Sequence, residues 1–113
     1  MGPPRQSNPE LIAALFTEGL QFHQAGRLVE AEALYDQVLA LRPDHFDGLH
    51  LRGVIFHQRG NHAEAVRWID QALKQNPNHA GALNNRGIAL SAQSRLVEAL
   101  DSFSRRVDSR CSR

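Results

Sequence analysis

Apolar and small residues return along this chain at two nested intervals. Over short stretches they keep helical spacing: Leu11, Leu15, Gly19 and Phe22 form one stripe, and Leu28, Ala31, Tyr35, Val38 and Leu39 a second. Over longer stretches the whole pattern recurs every 34 residues without gaps. Gly19, Gly53 and Gly87 share a column, as do Leu15, Leu49 and Leu83, and Ala31, Ala65 and Ala99. Phe22, Phe56 and Leu90 form another column, as do Tyr35, Ile69 and Phe103, while Pro43 and Pro77 are again 34 apart. The string RLVEA occurs at 27–31 and returns at 95–99.

Each unit therefore reads as two helices joined by a tight turn. Asn8 is placed to cap a first helix that opens on Pro9, where the missing N–H costs nothing. Gly26 punctuates the unit, and Pro43 ends its second helix by disfavouring helical geometry in the residue before it. Asp44 is the expected cap of the next helix, and Gly60, Pro77 and Asn78 repeat the scheme. Glycine in mid-helix costs about 1 kcal/mol relative to alanine. The Gly19 column is tolerable where the second helix approaches closely, with the Ala31 column as its expected contact.

This pattern resembles the tetratricopeptide repeat family of 34-residue helix–turn–helix units, over about residues 9–107, with Gly19, Phe22, Ala31, Tyr35 and Pro43 in the family's positions. The resemblance implies an all-α solenoid of three helix–turn–helix units forming a right-handed superhelical array. An N-terminal extension (1–8) would precede one domain (9–107) with units at about 12–45, 46–79 and 80–113, and a polar basic tail (108–113) would follow. The string ALNNRG (82–87) is of a kind found in bacterial repeat proteins. Such arrays hold peptides on a concave face lined by the first helix of each unit. By that analogy the face takes Phe16, Leu20, His23 and Gln24 from the first unit, with Asp47, His50, Val54, His57 and Gln58 from the second and Asn84, Asn85, Ile88 and Ser91 from the third. The implied function is a protein-interaction scaffold binding a peptide segment. The alternatives are a structural self-assembly module and the substrate-recruiting region of a larger enzyme such as a glycosyltransferase.

Two subfamily signatures can be checked residue by residue. A carboxylate clamp for acidic chaperone tails needs cations, but its columns hold Phe16, Leu20, Leu51, Gly81 and Asn85. The asparagine ladder of repeat-bearing glycosyltransferases is matched at Asn85 only, with Thr17 and Leu51 in the equivalent places.

The third unit departs from the pattern near its end. Arg106 stands in the column of Val38 and Ala72, and Cys111 in the column of Pro43 and Pro77. Leu96, Leu100, Phe103 and Val107 still form an apolar stripe that no capping helix follows. Full burial of four such side chains is worth roughly 1.5–3 kcal/mol each, so two explanations fit: the chain is a fragment of a longer repeat protein, or the stripe is covered by another copy. Self-association as a homodimer is the expectation taken.

Composition narrows the remaining chemistry. Thirteen Lys and Arg nearly cancel twelve Asp and Glu, so a net charge of +1 supplies no drive toward nucleic acid or anionic membrane. No apolar run is long enough to span a bilayer, and the opening MGPPRQSNPE lacks the layout of a secretory signal; the expected setting is cytoplasmic. Cys111 is the single cysteine, so an internal disulfide is excluded. Six histidines raise the question of a metal, but the nearest pairs, His45/His50 and His57/His62, are five apart rather than three or four. Metal, cofactor and catalytic constellation are all expected to be absent.

Overall fold

A computed structural model describes residues 8–105, with side chains as far as Val97. Asn8 accepts a hydrogen bond from the Leu11 amide (3.1 Å) and Pro9 takes the first helical position, so α1 runs Pro9–Gln24. It is followed by α2 (Leu28–Leu41), α3 (Phe46–Gln58), α4 (His62–Gln75) and α5 (Ala80–Arg105), with no strand among the described residues. Each helix packs on the next in chain order, and α5 also reaches α3. The all-α repeat architecture is thus present. Of the expected N-terminal extension only Asn8 is described, and the tail 108–113 lies outside the described residues.

The turns inside units one and two have one chemical cause. Gly26 and Gly60 adopt φ of +79° and +86°, and a Cβ at either would meet nothing within 4 Å. Space is therefore not what demands glycine there; the left-handed backbone is. Around each glycine the chain closes the same way. The Arg27 amide reaches the Phe22 carbonyl at 2.8 Å and the Gly26 amide reaches His23 at 3.0 Å; Asn61 to Phe56 (2.8 Å) and Gly60 to His57 (2.9 Å) repeat the pair. These are Schellman closures, which satisfy the last carbonyls of a helix and turn the chain sharply.

The third unit differs from the expected helix–turn–helix. Ser94 stands in the column of Gly26 and Gly60, and α5 continues through it without a break for 26 residues. An L side chain resists the left-handed geometry of that turn, while serine fits a helix interior at modest cost. The helix therefore extends, and the second half of the unit does not fold back on the first.

Two further expectations need correction. The first helices of units two and three are capped not by Asp44 and Asn78 but by the next residues, His45 and His79. Their Nδ1 atoms accept from the Gly48 amide (2.9 Å) and the Ala82 amide (3.1 Å). The close approach in mid-helix is also made differently. A Cβ on Gly19 would lie 2.8 Å from Tyr35 Cε1, and one on Gly53 2.8 Å from Ile69 Cγ1 and 3.1 Å from the Ala65 carbonyl oxygen. The closest neighbours are thus the large Tyr35 and Ile69, with the expected Ala65 next at Gly53 through its carbonyl oxygen.

Ala31, Tyr35 and Val38 in α2, and Ala65, Ile69 and Ala72 in α4, have no exposed surface. Ile55 joins Ala31 and Tyr35 in the centre, with Phe16, Phe22, Leu28 and Leu51 packed around them. The units are joined by an ion pair that itself repeats at 34 residues: Arg52 Nε donates to Asp36 at 2.8 Å, and Arg86 Nε donates to Asp70. Arg52 also bridges to Glu32 (2.7 Å), and its guanidinium lies over the Phe56 and Trp68 rings at 4.7 and 5.3 Å. Its Nη1 has no oxygen partner and is buried; the ring faces supply the electrostatic compensation.

Two outcomes follow from this packing. Gly53→Ala lowers unfolding free energy by about 1–2 kcal/mol in denaturant titration, because overpacking outweighs the roughly 1 kcal/mol gained in helix propensity. Arg52→Lys costs about 1–3 kcal/mol in the same assay, since an ammonium does not span two carboxylates and two rings as the planar fork does.

Candidate functional site

The first helices α1 and α3 and the first half of α5 lie side by side and present the residues expected to form the groove. Several of them are committed to one another. His23 sits between two partners: the Tyr35 hydroxyl donates to its Nδ1 at 2.9 Å, and its Nε2–H donates to Gln58 Oε1 at 2.7 Å. Burial pushes the Tyr35 hydroxyl up to about 12, so it remains a donor throughout the neutral range. His50 is buried, at 6% exposure, and its Nε2 accepts from the Asn85 amide at 2.9 Å. Both contacts run from one first helix to the next, so four of the expected groove residues serve as rungs between units. Asn85 in particular spends an amide hydrogen on His50.

Phe16 is half-buried, stacked on Tyr35 at 5.8 Å and tilted against His45 at 5.5 Å. It belongs to the edge of the core. Leu20 and Val54 are likewise half-buried, whereas Gln24, Asp47, Gln58 and Asn84 are exposed.

A hollow of about 610 Å³ opens between the end of α3 and the outer face of α5. It gathers His57, Asn84, Ile88 and Ser91, all expected on the concave face, and adds Leu83, Gly87, Ala92 and Arg95. Leu83 and Gly87 were read as hairpin-packing positions; they line the hollow because α5 does not fold back over them. The signal was present in the serine at 94. A smaller hollow of about 340 Å³ lies along the α3–α4 turn, from Gly60 to Glu64, closed by Gln93, Leu96 and Val97 of α5. Leu96 is 54% exposed there. Of the other residues expected to mediate self-association, Leu100 and Phe103 lie on α5 beyond the described side chains, and Val107 lies outside the described residues.

The histidine spacing misleads in one instance. His57 and His62 are five apart in sequence but sit on α3 and α4, and the Gly60 turn brings their Nδ1 atoms to 2.8 Å. One ring must donate to the other, so at least one is neutral. Among the described residues no group of three or more His, Cys, Asp or Glu is assembled that could hold a metal ion. No helix among them is long and apolar enough to cross a membrane.

His45, His50 and His57 all lie below the usual histidine value, in each case chiefly through burial, with the His79 charge adding at His50 and the His62 charge at His57. The folded chain then binds fewer protons than the unfolded chain, so stability is full above about 6.5 and is lost as pH falls from there through the folded values. Thermal unfolding between pH 7.5 and 5.5, above the carboxylate range, shows Tm falling on acidification. His50→Gln removes part of that slope.

Two family models, each described as tetratricopeptide repeat, match the chain over residues 16–77 and 68–101. No curated protein matches it. Repeats of this family are generally protein–protein interaction modules. The first match alone spans more than half of the chain and coincides with the α1–α4 repeat geometry, and the chain belongs to the tetratricopeptide repeat family.

Proposed function

We propose that this chain is a protein-interaction scaffold that takes an extended peptide segment along the α3–α5 groove, and that it self-associates through its third unit. The hollow lined by His57, Asn84, Ile88, Ser91 and Arg95 carries the peptide reading. Its floor is apolar and its polar groups are neutral apart from Arg95, which suits one carboxylate on the peptide rather than an acidic run. Asn84 and Ser91 are seven residues apart on one helix, about 10.5 Å along its axis. That span corresponds to roughly three residues of extended chain. A side-chain amide and a hydroxyl at this interval hold peptide backbone without demanding a particular sequence. Self-association is supported by the exposed apolar side chains of α5, Leu83, Leu90, Leu96 and Val97.

Selection of short random peptides on the immobilised chain tests the groove. The enriched peptides lose about tenfold or more in affinity, about 1.4 kcal/mol, when His57 and Asn84 are both replaced by Ala, with the circular dichroism spectrum unchanged. Peptides that bind the double variant as tightly as the parent place the binding surface elsewhere.

A further inference from the structure

Among the described residues, the face of α5 that carries Leu83, Gly87 and Leu90 is left open. In the earlier units the same columns are closed: Leu49 is buried, and a Cβ on Gly19 or Gly53 would strike Tyr35 or Ile69 at 2.8 Å. At Gly87 a Cβ would meet nothing within 4 Å, and Leu83 and Leu90 are 45% and 38% exposed. The residues that close such a face are nevertheless present in the sequence. RLVEA at 95–99 duplicates the start of α2, and Phe103 stands in the column of Tyr35 and Ile69, both fully buried. Because α5 runs straight through Ser94, position 103 lies sixteen residues beyond Gly87, about 24 Å along the axis. No bend in the helix brings them together in one copy.

We propose that two copies exchange the second half of α5. Residues 95–105 of each cover the Leu83–Gly87–Leu90 face of the other, rebuilding two third units between two chains. This rests on the self-association part of the functional reading and gives it a geometry. The occupant of the open face is a second copy because the complementary surface is this chain's own, in the register that units one and two already use. The contact Gly19–Tyr35, repeated as Gly53–Ile69, becomes Gly87 against the partner copy's residue at 103. The two α5 helices then cross antiparallel about a two-fold axis beside Arg95, midway between those positions. Glu98 stands three residues after Arg95, as Glu30 does after Arg27, where the two side chains pair at 3.1 Å. Asn84, Ile88 and Ser91 are each one residue on from Leu83, Gly87 and Leu90, about 100° around the helix, so the exchange takes Leu83 and Gly87 out of the hollow's lining and leaves His57, Asn84, Ile88 and Ser91 to face a peptide. The hinge is Ser94, and a stiff hinge that opposes the hairpin is the condition under which exchange of identical elements outcompetes closure within one chain.

The experiment uses the whole chain with Cys111→Ser, which removes the only native thiol. Light scattering gives twice the 12.6 kDa of one chain, and adding Ser94→Gly weakens the dimer at least tenfold by permitting the hairpin. In the same background Gly87→Cys with Phe103→Cys places two small thiols at the exchanged contact, and mild oxidation yields a covalent dimer on a non-reducing gel. A dimeric mass without that crosslink leaves self-association standing and overturns the exchange. A crosslink that forms within single chains also overturns it, because the third unit then closes on itself. A monomeric mass overturns both.

Discussion

The Schellman turn that folds a unit's second helix back on its first requires one residue with a positive φ, and the arrangement of this chain depends on where such a residue is supplied. At Gly26 and Gly60 the backbone passes through the left-handed region, two carbonyls find amide partners, and the following helix comes back along the preceding one. Everything buried in units one and two depends on that return: Tyr35 against Gly19, Ile69 against Gly53, and the alanine columns beneath them. At position 94 the same point is serine and the return does not take place.

Between units the forces are different. Within a hairpin the contact is apolar and close; from one unit to the next the apolar contact of Ile55 with Ala31 and Tyr35 is joined by Arg52–Asp36 and Arg86–Asp70, and by the His23–Gln58 and His50–Asn85 rungs. Polar joints of this kind fix register, because their hydrogen bonds are directional and short in range, while the apolar columns supply the burial. The histidine caps at 45 and 79 sit at the same joints, so backbone amides there depend on an imidazole nitrogen keeping its lone pair.

Helix order, the Gly26 and Gly60 turns and the core columns were legible because 34-residue identity reports them directly, and the Asn8 cap because Asn before Pro is itself a helix-start signal. The ion pairs were equally visible as repeated Asp36/Asp70 and Arg52/Arg86 columns, but charge columns on a helix surface are ordinarily solvated and were passed over. The histidine caps were missed because imidazole at an N-cap is uncommon beside an available Asp or Asn. The straight third helix turns on a single residue, Ser94, inside a unit that otherwise matches, and column counting gives one mismatch little weight. For the groove, sequence columns specify which helix face a residue occupies but not whether its hydrogen bonds are already spent. His50 and Asn85 face the right way and satisfy each other.

A single residue difference, serine at 94 in place of the glycine used in both preceding units, separates a straight α5 from a reversed one. A change at this one position converts the third unit from a closed hairpin into an open half. The third unit thereby presents a face unlike those of the two before it, with no residue inserted or removed.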